Sequence, residues 1–138
     1  IGACLTHGKA AELMQPGSHG STFGGNPLVS RAACTVLEVM ENESLAERAA
    51  ATGKTMLAGL RERIGSHPRV RDIRGRGLMI GIELYCAAGP VQSQCMENGI
   101  IVNATAGSVV RLLPPLIIDN EQAAQIVETV CALIEGLD

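Results

Sequence analysis

Apolar residues recur at helical spacing through most of the first half of the chain. The repeat begins after Pro27 and resumes beyond a polar stretch at residues 41–44. This spacing predicts two consecutive helices or one long helix with a bend. A short polar helix is predicted over residues 8–14, and residues 1–5 are predicted to end a buried strand. The apolar positions of the long repeat are Leu28, Ala32, Ala33, Leu37, Met40, Leu45, Ala49, Met56, Leu57, Leu60 and Ile64.

The pattern changes after residue 68, where short apolar runs alternate with turn residues. A capping box at Asp119 and Gln122 predicts the start of the final helix. The order β-β-α-β-β-α favours an α/β chain whose small α+β domain packs helices on one side of a largely antiparallel sheet. The predicted strands cover residues 70–73, 78–84, 100–103 and 109–113, with a helix over residues 90–98 and Gly99 at its end.

Composition narrows the class of protein. The 138 residues are 46% apolar, enough for a compact core, but one Phe, one Tyr and no Trp make that core aliphatic. A net charge of −3 gives no basic surface, so we expect neither nucleic acid nor a membrane as partner. Five cysteines without a C-x-x-C pair indicate a reduced, cytoplasmic protein.

The most informative segment is the Gly- and Ser-rich stretch at residues 18–28. Its glycines allow close backbone approach, Asn26 suits a helix N-cap, and Pro27 suits the first helical position. Free amides and hydroxyls at a helix start favour a phosphate site. The residues leave an ordinary turn open as the alternative, because the spacing matches neither the G-x-G-x-x-G nor the P-loop pattern.

Three motifs resemble class III aminotransferases, which are pyridoxal-phosphate enzymes of fold type I. HGSTFGGNPL at residues 19–28 is similar to their signature loop, most closely to that of the acetylornithine branch. GRGLMIGIEL at residues 75–84 and VRLLPPL at residues 110–116 are similar to their C-terminal small domain. The resemblance implies transfer of an amino group from N-acetylornithine to 2-oxoglutarate, in arginine biosynthesis.

The resemblance also assigns site residues. It implies that Ser21 and Thr22 bind the pyridoxal 5'-phosphate of the neighbouring subunit, and therefore a homodimer. It implies that Arg111 binds the α-carboxylate of the amino acid or 2-oxo acid substrate, for which a guanidinium offers a bidentate fork. The residues alone leave open whether Arg111 is buried with a partner or points into water from an edge strand.

The Schiff-base lysine of such enzymes is not expected in this chain. Lys9 and Lys54 lie in polar helical patterns typical of a solvated surface. In the family the lysine lies just upstream of the strand that residues 1–5 resemble, so we expect it upstream of Ile1. We therefore expect this chain to be the C-terminal part of a longer enzyme and to be inactive by itself. The expected parts are residues 1–26, ending the large domain with the phosphate loop; residues 27–66, a connecting helical segment; and residues 67–138, the small domain.

Other candidates have ordinary structural explanations. His19 fits a turn, Asn103 fits the end of a strand, and the hairpin arginines Arg74 and Arg76 fit a solvated face. Gly77 and Gly81, near or inside a strand, are further candidates because such glycines mark bulges or close approach. No His or Cys spacing suits a metal, so no metal site is predicted. The alternative functions are an aminotransferase for ornithine, succinylornithine or 4-aminobutyrate, and a non-catalytic amino-acid-binding or dimerisation module.

Overall fold

The computed structural model describes residues 1–137. Its helices and strands follow nearly the predicted order. The β-β-α-β-β-α order after residue 68 is confirmed, and the long helical region forms two helices. The elements are α1 Lys9–Leu13, α2 Pro27–Asn42, α3 Leu45–Ile64, β1 Val70–Arg76, β2 Met79–Leu84, α4 Gly89–Glu97, β3 Asn103–Thr105, β4 Val109–Leu112 and α5 Asn120–Glu135.

The chain divides into two compact units, residues 1–43 and residues 44–138. The N-terminal unit contains α1, the Gly/Ser loop and α2, and the C-terminal unit contains α3 and everything after it. The predicted parts, namely the phosphate loop, the connecting helices and the small domain, were defined by their expected roles and not by compactness. That division stays a prediction.

The C-terminal unit is a two-layer structure. Its four strands form one antiparallel sheet in the order β1-β2-β4-β3. Alternate residues of β2 and β4 point inward, including Ile80, Ile82, Val110 and Leu112. They pack in one apolar cluster with residues of α3, α4 and α5, so these three helices lie on the same side of the sheet. The predicted packing of the helices on one side of the sheet is confirmed. The other side of the sheet carries its outward-pointing residues.

The capping box that predicts α5 is present. The Asp119 carboxylate accepts a hydrogen bond from the Gln122 backbone amide at 2.7 Å, and the Gln122 side chain accepts one from the Asp119 amide at 3.3 Å. Two backbone donors at the helix start are thereby satisfied. The helix then places Ala123, Val130 and Ile134 in the core.

Two of the predicted strands differ from the elements of the structure, one because it is shifted and one because it does not form within this chain. Residues 1–5 are exposed and form no strand with the described residues, so their expected place at the end of a large-domain strand stays a prediction. At residues 100–103 only Asn103 belongs to a strand. Gly99 adopts a φ of 76° and turns the chain back, so that the Ile100 amide donates to the Cys95 carbonyl at 2.9 Å and closes α4 instead of pairing in the sheet.

Gly77 has a packing role that explains its presence. It turns the chain between β1 and β2 with a φ of 54°. The turn lies against α3 at Gly53, where a Cβ would overlap the carbonyl oxygen of Gly77. A helix and a turn therefore touch through two residues without side chains. This contact fixes how α3 sits on the β1–β2 hairpin.

Cys131 provides a pH-dependent contribution to stability. Its side chain is fully buried on α5, and burial raises the pKa of the thiol from 9.0 to about 11. As pH rises, the unfolded chain loses this proton before the folded chain does. We therefore expect the free energy of unfolding to fall between about pH 9 and pH 11. Urea unfolding at several pH values measures this, with Cys131→Ala as the comparison, and equal slopes for both proteins would contradict the prediction.

Candidate functional site

Arg111 lies on the outward side of the sheet in the C-terminal unit. It occupies β4 between Val110 and Leu112, whose side chains enter the core. Because successive residues of a strand point to opposite faces, the guanidinium projects away from the helices, and the residue is exposed. β4 is an inner strand, not an edge strand. Among the described residues, Arg111 is therefore neither buried with a partner nor on an edge strand.

Strand register places Arg111 in a row that crosses the whole sheet. Arg111 pairs with Gly81 on β2 and with Asn103 on β3, and Gly81 in turn pairs with Arg74 on β1. Directly paired residues share a face, with Cβ atoms about 5 Å apart. The structure therefore brings Asn103 and Gly81 beside Arg111. We call the row Arg74, Gly81, Arg111 and Asn103 the arginine row.

The two arginines of the arginine row differ in their charge partners. Arg74 donates to Asp72 at 2.8 Å and to Glu83 at 2.7 Å, and these hydrogen bonds raise its pKa. The Arg111 side chain forms neither a hydrogen bond nor an ion pair with any residue among 1–137, while its backbone pairs in the sheet. Arg74 is thus neutralised by its own sheet, whereas the five donors of Arg111 remain available to a carboxylate.

The Gly/Ser loop of the N-terminal unit is held in shape by its own side chains. The Ser21 hydroxyl accepts a hydrogen bond from the Gly24 amide at 2.9 Å. Asn26 accepts from the Val29 amide at 3.2 Å and so caps α2, while its side-chain amide donates to the Phe23 carbonyl at 2.7 Å. The N-cap prediction is confirmed, and Pro27 stands at the first helical position.

The hydroxyls of the loop suit a phosphate. Ser21 uses its oxygen as an acceptor, so its proton is free to be donated outward, and the exposed Thr22 makes no hydrogen bond with the described part of the chain. The sequence has no acidic residue between Glu12 and Glu38. An anion would meet donors here and no carboxylate. Ser21 also lines a shallow pocket of about 610 Å³ together with His19, Gly24, Gly25 and Asn26, whereas Thr22 does not.

The lysines, the possible metal ligands and the cysteines add nothing to the arginine row or to the Gly/Ser loop. Lys9 and Lys54 are exposed on α1 and α3. Residues 1–137 contain no group of three or more His, Cys, Asp or Glu side chains that would hold a metal ion. No helix among these residues is long and apolar enough to cross a membrane. The five cysteines are unpaired.

Comparison with known proteins agrees with the motifs of both units. The profile of the aminotransferase class-III family matches residues 1–134. This chain belongs to the class-III aminotransferases. The cofactor of that family is pyridoxal 5'-phosphate, which confirms the predicted cofactor at the level of the family.

The relatives of this class-III chain are longer than it is. The acetylornithine aminotransferase of Nitrosomonas europaea is 46% identical over 134 residues, which are 97% of this chain and 34% of that protein. The structure of an ornithine aminotransferase from Plasmodium yoelii matches with a TM-score of 0.83 and 34% identity, covering 91% of this chain and 34% of the other. The ornithine aminotransferase of Toxoplasma gondii, solved with PLP at partial occupancy in its active site, matches with a TM-score of 0.80 and 36% identity, covering 91% and 30%. The chain spans about a third of the length of these proteins.

Proposed function

We propose that this chain is the C-terminal part of an aminotransferase subunit that moves an amino group from N-acetylornithine to 2-oxoglutarate. The observation that carries the proposal is Arg111, an exposed arginine without a protein partner among residues 1–137, on the open face of the sheet. Both substrates carry an α-carboxylate, which a guanidinium binds through two parallel hydrogen bonds. One residue therefore serves both halves of the reaction.

Arg111 acts by placing the substrate. Two hydrogen bonds to a planar carboxylate fix its position and its orientation, so the neighbouring carbon is presented in one geometry. Pyridoxal phosphate, when bound, withdraws electrons from that carbon as its proton leaves. Arg111 itself exchanges no proton, since a guanidinium stays charged at any working pH.

Ser21 and Thr22 hold the cofactor phosphate in the proposed enzyme. Their hydroxyl protons are available, and the surrounding loop carries no acidic group to repel an anion. The loop would serve the neighbouring subunit, and the proposed assembly is a homodimer. The Schiff-base lysine belongs to the part of the subunit outside this chain, since Lys9 and Lys54 stand exposed on helices.

Relatives support acetylornithine as the amino donor. The Nitrosomonas europaea protein at 46% identity and a Bordetella pertussis protein at 45% identity are both acetylornithine aminotransferases. Arginine biosynthesis in the cytoplasm is the corresponding proposal for its role and location, and five unpaired cysteines agree with a reducing compartment.

Donor preference in the full-length enzyme tests the proposal. Glutamate formation from 2-oxoglutarate is measured with N-acetylornithine, succinylornithine, ornithine and 4-aminobutyrate as donors. We expect the highest kcat/KM with N-acetylornithine. A higher value with another donor would replace the assigned substrate, and no glutamate from any donor would overturn the aminotransferase proposal.

Loss of the Thr22 hydroxyl should weaken cofactor binding. Removing one hydrogen bond to a charged group costs about 1.5–3 kcal/mol, so we expect Thr22→Ala to raise the Kd of pyridoxal phosphate about 10- to 100-fold. Thr22 is the cleaner position, because Ser21 also stabilises the loop through Gly24. The Kd is measured by absorbance after the cofactor has been removed and titrated back.

Two matched variants accompany Thr22→Ala. Thr22→Ser keeps the hydroxyl and should restore most of the affinity. Ser18→Ala removes a hydroxyl that accepts a hydrogen bond from the Gln15 amide, outside the assigned pair, and should leave the Kd unchanged. Equal affinities for Thr22→Ala and the unaltered enzyme would remove Thr22 from the cofactor site.

A further inference from the structure

Gly81 occupies a position where a glycine is unfavourable for the fold. It lies in the middle of β2, paired with Arg74 on one side and Arg111 on the other. Glycine within a strand weakens it by roughly 0.5–1 kcal/mol, because the backbone loses more freedom and no side chain packs. A local reason for the glycine would be a left-handed backbone or a steric conflict.

Neither reason applies at Gly81. Its φ does not lie in the left-handed region, unlike that of Gly77. A Cβ at Gly81 would meet the Val109 Cγ1 atom at 3.4 Å, which is ordinary van der Waals contact. The contrast with Gly75 is clear, since a Cβ there would lie 2.7 Å from the Met79 carbonyl oxygen. The fold thus tolerates a side chain at residue 81 but not at residue 75.

The absence of a side chain at residue 81 leaves space on the outward face of the sheet. Residue 81 is half-buried and points to the side of the sheet that carries Arg111. A side chain there would start about 5 Å from the Arg111 Cβ atom, between the two arginines of the row. Beyond the Cβ it would occupy the space beside the guanidinium stem. A molecule whose carboxylate is held by Arg111 has the rest of its atoms close to that space.

We propose that Gly81 is a specificity-determining residue that keeps the space beside Arg111 open for carboxylate-bearing substrates. This inference rests on the proposed function, in which Arg111 binds the substrate carboxylate. The ligand class is amino acids and 2-oxo acids, whose substituted carbon directly follows the carboxylate. Bulk at residue 81 excludes them progressively, while Arg111 keeps its charge.

The test is a size series at residue 81 in the full-length holoenzyme: Gly81→Ala, Gly81→Val and Gly81→Leu. The probe is glutarate, a dicarboxylate that cannot be transaminated, and its Kd is measured by calorimetry. We expect a small change for Ala and a rise of about tenfold or more for Val and Leu, since one or two misplaced methylenes have effects of this size in a fitted site. The KM of both substrates should rise in the same order.

Matched controls separate this effect from unfolding. Gly89→Val makes the same change at a glycine where a Cβ would meet no atom within 4 Å, and it should leave the Kd unchanged. The Tm of the residue 81 variants should stay equal or rise, because β-branched residues favour strands. If Gly81→Val does not fold, Gly81→Ser decides the matter through the KM, which should rise above that of Gly81→Ala. Unchanged Kd and KM in a folded variant with bulk at residue 81 would overturn the inference.

Arg111→Ala distinguishes the two possible failures. If Arg111→Ala binds glutarate as tightly as the unaltered enzyme, the carboxylate role of Arg111 fails and the Gly81 inference fails with it. If Arg111→Ala weakens binding and Gly81→Val does not, only the Gly81 inference fails. In the double variant we expect no loss beyond that of Arg111→Ala, because the space at residue 81 is needed only by a ligand whose carboxylate Arg111 holds. Additive losses would show that residue 81 acts elsewhere.

Discussion

Replacing Arg111 with alanine in the full-length enzyme should raise the KM of both N-acetylornithine and 2-oxoglutarate by about 10- to 100-fold, since a charge-assisted hydrogen bond contributes about 1.5–3 kcal/mol. Both substrates are affected because each presents an α-carboxylate. Folding should be unaffected, since the Arg111 side chain is exposed and has no partner among residues 1–137. Initial rates with each substrate varied in turn measure the two KM values.

Three comparisons make the Arg111 result specific. Arg111→Lys keeps the charge but loses the planar fork, so its KM values should fall between those of the unaltered enzyme and Arg111→Ala. Arg76→Ala removes an exposed arginine from the hairpin end of the same sheet face and should change neither KM. The absorbance of the bound cofactor should be the same in all variants. Unchanged kinetics with both substrates in Arg111→Ala would refute the assigned role.

The helices of this chain were predictable because their signals are local. The capping box at Asp119 and Gln122 and the Asn26–Pro27 start each involve residues within one helical turn. The failure at residues 100–103 shows the limit of such signals. Ile100 and Val102 are buried, as in a strand, yet the Ile100 amide is taken by the Cys95 carbonyl. Burial at alternate residues thus occurs without strand pairing.

The direction of Arg111 was also within reach of the sequence, whereas its surroundings were not. Apolar residues on both sides imply that Arg111 points away from the core if the segment is a strand. Its neighbours depend on the register between β2 and β4, which are about thirty residues apart in the chain and whose pairing is set by the packing of the whole sheet. The glycine at residue 81 is visible in the sequence, but its position opposite Arg111 is not.

The same distinction applies to Gly53, where the sequence shows a glycine in a helix and only the structure shows its contact. Gly53→Ala should destabilise the protein by about 1–2 kcal/mol net, because overpacking against a tightly packed backbone should cost about 2–3 kcal/mol, the upper part of the usual range. The obstructing atom is the carbonyl oxygen of Gly77, which has no rotamer that relieves the overlap. The gain of about 1 kcal/mol from replacing glycine by alanine in a helix offsets only part of this. Chemical denaturation of the purified protein measures the change.

Gly59 on the same helix provides the matched control for Gly53. A Cβ at Gly59 would lie 3.3 Å from the Val127 Cγ1 atom on α5, and this methyl group belongs to a side chain that has room to adjust. The helical preference for alanine should then dominate, so Gly59→Ala should be neutral or more stable by up to about 1 kcal/mol. The two variants carry the same substitution in the same helix and differ only in what the new methyl group meets. Equal stabilities would mean that the turn at Gly77 shifts freely away from α3, and the close contact would then not fix the position of the hairpin.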